Sequence, residues 1–222
     1  NPYEGRDPRF YENVYYHQSK IGTLYTIDAS MSGADAPGST GSTRTGYFIR
    51  KFTYNGYDKD ATSPVTMALS VLYLRWTHLL LAYAEASNQA FGPNEDHYGC
   101  SLSPKDAIAA IRGRKQFNVG ESPLASSDPY LEECATDKNK FDELVRNERR
   151  IETCFEGLRF FDLQRWSSSA AELNGNVSGA KIEGNNYGTQ ICETHKFQSQ
   201  WLPIPFVEAK SAKNVEQKAG WE

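Results

Sequence analysis

Sulfur, histidine and long apolar runs are scarce in this sequence, and each scarcity removes a class of function. The 4 cysteines among 222 residues, Cys100, Cys134, Cys154 and Cys192, stand far apart. They form no CxxC pair and no Cys/His spacing of the kind that holds zinc. Cys100 and Cys134 fall in expected loops, where pairing is open, and Cys154 reads as a buried free thiol. Of the 4 histidines, His17, His97 and His195 lie in loops, while His78 shares a helix with Glu85 but sits about two turns from it. No metal and no cofactor is therefore expected. Gly38–Gly46 is rich in Ser and Thr but has no Lys, so it is no phosphate-binding loop. No G-x-S-x-G supports a serine nucleophile.

The longest apolar stretch, Val71–Ala86, is broken by Arg75, His78 and Glu85 and falls short of the ~20 residues that span a bilayer. It reads as a core helix. Positive charge is not in excess either. The formal net charge is −4 and the pI near 5.7, which argues against nucleic acid or an anionic lipid surface as partner.

Spacing predicts a mainly α fold: a helical core with long loops and a few short strands. Residues 1–20 open with turn chemistry, and residues 22–46 form a long Gly/Ser/Thr/Ala/Asp loop. Tyr47–Phe52 reads as a short strand. A helix is expected over about 69–90, with Leu72, Trp76, Leu79, Leu80, Tyr83 and Ala84 as its apolar stripe and Gly92-Pro93 as its stop. A second starts at Ser103, with Pro104 at the first position and Asp106 completing a capping box. A Ser/Pro/Asp loop follows over roughly 118–137, then an acidic-basic helix over about 138–155. Gly157 permits a break before a short helix through Trp166. The glycines at 175, 179, 184 and 188 mark 167–188 as a loop, with one or two extended segments between Ile191 and Ile204.

The acidic-basic helix carries the chemistry worth weighing. Phe141, Leu144, Val145, Ile151 and Phe155 recur at helical spacing, and Glu148 and Glu152 sit four apart in the same stripe. Carboxylates on a buried face need cationic partners, because an unpaired buried charge is costly. Arg149, Arg150, Arg159 and Arg165 are the expected suppliers. A glycosidase pair normally comes from different elements lining a cleft, ~5–5.5 Å or ~6.5–9.5 Å apart. Two glutamates on one helix among four arginines read instead as neutralised structural charge.

Aromatics make up 13% of the chain, with Tyr at 13 positions. Tyr25, Tyr47, Tyr54 and Tyr57 fall in loops among Asn, Asp, Arg and Thr. Such rings offer a flat apolar face to the C–H side of a pyranose while polar neighbours bond its hydroxyls. They are the candidate ligand-binding residues, with core packing as the alternative. Asn176-Val177-Ser178 matches a glycosylation sequon, which matters only on a eukaryotic secretory route.

Four blocks together resemble the C-terminal portion of the SusD/RagB proteins. These are Asn1-Pro-Tyr-Glu-Gly-Arg-Asp-Pro-Arg-Phe, Tyr73–Ala86 with Asn88, Arg146–Glu152 with Glu156–Trp166, and Leu202-Pro-Ile-Pro followed by Asn214 and Gln217–Trp221. The resemblance implies a SusD-like domain over 1–222, preceded in the family by tetratricopeptide-like helix pairs and a lipidated N-terminal Cys. The opening Asn-Pro fits the interior of a longer protein. The resemblance further implies non-catalytic binding of oligosaccharide at the bacterial surface. The ligand would pass to a SusC-like, TonB-dependent outer-membrane transporter, with the membrane met only through the lipid anchor. It favours structural charge over catalysis for Glu148 and Glu152, and it assigns no ligand residue. The alternatives from other classes are a glycoside hydrolase using Glu148 and Glu152, and a transporter-interaction subunit that binds no sugar.

Overall fold

The computed structural model describes residues 1–53, 72–114, 128–212, 214–218 and 220–221. Along these the order is α1 (Pro8–Asn13), β1 (Val14–Tyr15), β2 (Lys20–Ile21), β3 (Tyr25–Thr26), β4 (Phe48–Ile49), α2 (Trp76–Phe91), α3 (Pro104–Arg112), α4 (Pro129–Cys134), α5 (Lys138–Glu152), α6 (Arg159–Trp166), α7 (Ala170–Leu173), β5 (Gly175–Glu183), β6 (Asn186–His195) and α8 (Phe206–Ser211). The fold is mostly helical with short two-stranded sheets, as the periodicity predicts. The chain divides into two compact units. One comprises Asn1–Arg6, Tyr11–Met67 and Gly157–Glu222, the other Asp7–Phe10 and Ala68–Glu156.

The second unit is a helical layer in which α2 packs on α3 and α5, and α4 on α5. Its core is Leu80, Leu81 and Ala84 of α2, Ala107, Ile108 and Ile111 of α3, Leu131 and Cys134 of α4, and Phe141, Leu144 and Val145 of α5. Each large side chain here contributes roughly 1.5–3 kcal/mol on leaving water. Local chemistry sets the helix starts. Ser103 accepts from the Asp106 N–H while the Asp106 carboxylate accepts from the Ser103 N–H, with Pro104 at the first turn. Asp137 accepts the N–H groups of Asn139 and Lys140 to start α5.

Three expectations change here. The helix expected from about 69 begins at Trp76, leaving Leu72 exposed ahead of it, and its apolar stripe splits: Leu80 and Ala84 are buried, while Leu79 and Trp76 are exposed, Trp76 at 70%. Apolar residues run almost all round this helix, and α3 and α5 cover one side of it. The stripe of α5 ends early. Phe141, Leu144 and Val145 are buried, but the helix stops at Glu152, and Phe155 lies beyond it in a left-handed turn at φ 63°. The 118–137 loop contains a helix, α4, started by Asp128 accepting from the Leu131 N–H with Pro129 at the first turn. Cys134 is consequently buried and unpaired, Cys100 is exposed and unpaired, and Cys154 is half-buried.

In the first unit, β1 pairs antiparallel with β4 (Val14 opposite Ile49, Tyr15 opposite Phe48). β2 pairs with β3 (Lys20 opposite Thr26, Ile21 opposite Tyr25). Tyr15, Ile27 and Ala29 form a small core against Ile21, Tyr25 and Phe48. Of the expected strand Tyr47–Phe52, only Phe48 and Ile49 pair.

The expected loop over 167–188 is instead α7 followed by the arm of a hairpin. β5 and β6 pair from Gly175 opposite His195 to Glu183 opposite Asn186, with an irregularity between Val177 and Ser178. Gly184 turns the hairpin at φ 60°, the left-handed first position that a two-residue type II′ loop requires. Gly179 lies where a Cβ would stand 2.6 Å from Thr45 Cα and 2.5 Å from Cys192 Sγ. Its glycine admits a neighbouring chain and does not mark a loop. The long 22–46 loop is fastened to that arm: the Met31 N–H donates to Ile182 O at 2.9 Å, and the Ala180 N–H to Thr45 O at 2.8 Å.

Candidate functional site

Two constellations stand out, one in each unit, and each is described by itself. In the second unit, Glu148 and Glu152 lie one turn apart on α5 at 1% and 5% exposure. All four of their carboxylate oxygens meet a guanidinium. Arg9 Nη2 donates to Glu148 Oε1 at 2.5 Å and to Oε2 at 3.3 Å, and Arg112 Nη1 reaches Oε2 at 3.4 Å. Arg75 Nη1 donates to Glu152 Oε1 at 2.7 Å, while Arg9 Nη1 and Arg114 Nη2 reach Oε2 at 3.2 and 2.5 Å. Arg9 thus stands between two like charges that would otherwise repel across one helical turn.

The cations seen at these carboxylates are Arg9, Arg75, Arg112 and Arg114. Arg149 and Arg150 follow Glu148 by one and two residues, about 100° and 200° round the helix, and so point away from its face. Arg150 is exposed. Arg159 and Arg165 belong to the first unit, where both guanidinium groups lie over the Trp166 ring and Arg165 pairs with Asp162 at 3.0 Å. The signal that was available is Arg75, a lone Lys or Arg within the apolar run Val71–Ala86, at the N-cap of α2.

Arg75 also closes the end of α5. Its Nη2 donates to Glu152 O at 2.8 Å, satisfying a carbonyl that has no partner further along the helix. Its guanidinium grips both oxygens of Glu156, at 2.7 and 3.2 Å, and His78 Nε2 meets Glu156 Oε2 at 2.7 Å. Around this centre Asp7 binds Arg9 at 2.6 Å and Asp128 binds Arg112.

Electrostatics follow the geometry. Burial pushes the Glu152 carboxyl upward, but the hydrogen bonds and charge of Arg114 and Arg75 outweigh it and hold the pKa at about 2. Burial opposes the charge on Arg9, yet Asp7 and Glu148 raise it above the ordinary arginine value. A general acid for glycoside cleavage needs a carboxyl raised toward neutrality. Glu152 is shifted the other way.

In the first unit, five tyrosines gather. The Tyr3 ring lies 4.6 Å from Tyr16 and edge-on to Tyr187 and Tyr47 at 5.8 and 6.3 Å, and Tyr11 meets Tyr16 at 6.1 Å. Tyr3 is buried at the centre of the group, and Tyr187 is the exposed member. Burial, then the neighbouring Tyr47 hydroxyl, raises the Tyr3 phenol well above its ordinary value. His17 sits beside Tyr187 at 6.3 Å, and its Nδ1 accepts the Ala29 N–H at 3.1 Å.

Tyr47 belongs to this group, and Tyr25 has a separate role. The Tyr25 hydroxyl contacts both oxygens of Asp35 at 2.7 Å, and Asp35 in turn accepts the Asp28 N–H at 2.9 Å. That ties the Gly/Ser loop to β3. Tyr54 and Tyr57 lie outside the described residues. Tyr3, Tyr11, Tyr16 and Tyr187 escaped the sequence reading, although Tyr3, Tyr11 and Tyr16 crowd the opening of the chain.

Among the described residues no group of three His, Cys, Asp or Glu side chains could hold a metal ion. No described helix is long and apolar enough to cross a membrane.

The family model described as SusD family matches residues 1–221. The chain belongs to the SusD family. It is similar to SusD-like protein P38 of Formosa agariphila, at 28% identity over 123 residues, which is 55% of this chain and 22% of that protein. A SusD-like protein of Bacteroides fragilis superimposes with a TM-score of 0.74 at 26% identity, over 99% of this chain and 40% of its own. A SusD-like carbohydrate binding protein from the same species shares the fold at a TM-score of 0.56 and 24% identity, over 81% of this chain and 32% of its own. The SusD-family chain described here thus spans less than half the length of these relatives. All four sequence blocks lie within the matched region, Arg9 and Arg75 of the ionic centre among them.

Proposed function

We propose that this SusD-family chain binds oligosaccharide without cleaving it. The tyrosine group of the first unit would supply ring faces, and in the cell the ligand would be captured at the outer-membrane surface and passed to a SusC-like TonB-dependent transporter. The observation that carries the reading is a cluster of five tyrosine rings, in which Tyr3 meets Tyr16, Tyr47 and Tyr187 and Tyr16 meets Tyr11. It occurs in a chain that shares its fold with a carbohydrate-binding protein of Bacteroides fragilis. Tyrosine is suited to this work because a rigid ring covers the C–H face of a pyranose while its hydroxyl bonds to the sugar's own. The state of Glu148 and Glu152 supports binding over turnover: both are buried and neutralised by arginine, and the Glu152 carboxyl is shifted away from the range a general acid needs.

Affinity from a few stacked rings and hydrogen bonds falls in the micromolar to millimolar range, about −8 to −4 kcal/mol. Isothermal titration against oligosaccharides of several backbone linkages, run beside a reducing-end assay, tests it. The expected result is heat with at least one glycan and no release of reducing ends. Tyr47→Ala should weaken that binding, whereas Tyr25→Phe, whose hydroxyl is already held by Asp35, should leave it within about twofold. Silence across all glycans, or steady turnover, contradicts the proposal.

A further inference from the structure

A second set of aromatic rings stands on the second unit, outside both its core and its ionic centre. α2 ends at Phe91, where Gly92 at φ 94° leads the chain out of the helix with its N–H on Asn88 O at 3.0 Å. The segment that follows is braced along its length. The Lys105 N–H donates to Pro93 O at 2.9 Å and Asn94 Nδ2 to Ala135 O at 2.8 Å. The Asp96 carboxylate accepts the N–H groups of Cys100 and Ser101 at 3.1 and 2.6 Å, and the Tyr83 hydroxyl donates to Leu102 O at 2.5 Å.

On this braced segment the His97 ring stacks on Phe91 at 3.6 Å and 15°. Tyr98 stands edge-on to both, at 5.5 Å from His97 and 5.8 Å from Phe91. All three are exposed, Tyr98 at 65%. Three touching rings held in water by a fixed backbone forgo the burial that usually justifies an aromatic. Phe91–Pro104 also contains Glu95 and Asp96 but no Lys or Arg, so its own charge is negative.

We propose that Phe91, His97 and Tyr98 form a glycan-stacking platform for uncharged oligosaccharides. Tyr98 covers the C–H face of one sugar ring, the Phe91–His97 stack fixes the orientation of Tyr98, and the Glu95 carboxylate accepts from sugar hydroxyls. Preorganisation is the advantage of the arrangement, since little rotamer freedom remains to be lost on binding. Glu95 and Asp96 disfavour uronic or sulfated sugars, whose charge they would repel. The proposal rests on the carbohydrate-binding reading of the chain and adds a second place of contact and a ligand class.

The test is titration calorimetry of the whole chain with oligosaccharides of cellulose, laminarin, starch, xylan and mannan, and with alginate oligosaccharide as the anionic comparison. It is repeated on Tyr98→Ala and on His97→Ala. Both side chains are exposed, so thermal melts should show intact folding. The expected result is binding of at least one neutral glycan, weakened about tenfold by Tyr98→Ala and less by His97→Ala. Should Tyr98→Ala melt early, the His97→Ala titration decides by the same criterion. Unchanged affinity in the variants overturns the platform and leaves the carbohydrate reading standing. Tyr98-dependent binding of alginate in preference to neutral glycans overturns the ligand class. Absence of heat with every sugar overturns the carbohydrate reading, and the platform with it.

Discussion

Arg9 and Glu148 are 139 residues apart in sequence and joined by a 2.5 Å bond from Nη2 to Oε1. The same guanidinium continues to Glu152 and is itself held by Asp7. One side chain near the start of the chain therefore neutralises the carboxylates of a helix near its middle. Removing it leaves Glu148 at 1% exposure with only the longer contact to Arg112 among those described.

Arg9→Ala should accordingly destabilise the second unit by about 3–5 kcal/mol, the range for a buried pair that loses one partner. Denaturant unfolding followed by circular dichroism reads the change. A loss below about 1 kcal/mol, the value of an exposed ion pair, would show that the bond carries little.

Acid should act on the same centre with a definite sign. Folding lowers the Glu152 pKa from 4.5 to about 2, so its contribution is complete above the unfolded value and is lost as pH falls through the folded one. Asp7 and Asp128 are lowered in the same direction, each against a burial penalty, by Arg9 and Arg112 respectively. The melting temperature should hold from neutral pH to about 5 and then fall steeply toward pH 2. Arg114→Ala, which removes the first of the cations holding Glu152, should lower stability at neutral pH and flatten that acid limb. An acid limb identical to the parent's would contradict the assignment.

Gly179 tests the hairpin independently. An added Cβ would stand 2.6 Å from Thr45 Cα and 2.8 Å from Thr45 O, both backbone atoms unable to swing aside. Gly179→Ala should cost about 1–3 kcal/mol, the usual range for overpacking. Gly175→Ala, where nothing lies within 4 Å of the added carbon, should cost far less in the same thermal melt. Equal costs would mean that the approach of residue 45 to β5 is not tight.

The parts legible in the sequence are those set by short-range chemistry. Ser103, Pro104 and Asp106 start α3 within one turn of themselves, so their spacing suffices. That Glu148 and Glu152 are buried and paired was also legible, because they share a stripe with the core residues Phe141, Leu144 and Val145, where an unpaired charge is costly. The identity of their partners was not, since Arg9 arrives only through the tertiary fold. The hairpin was hidden by its own glycines. Gly179 and Gly184 look like loop residues until Thr45 and the tight turn show why each lacks a side chain. The tyrosine group was not legible from local spacing, because the Tyr47 ring meets that of Tyr3, which lies far away along the chain.

The central claim is that the acidic helix is scaffolding and that sugar is held elsewhere. Glu152→Gln tests it most directly, with melting temperature and glycan affinity measured on the same preparation. The account predicts a lower melting temperature, an affinity in the folded protein within about twofold of the parent's, and no glycan cleavage in either. An unchanged melting temperature together with lost binding, or with loss of a turnover present in the parent, would contradict it.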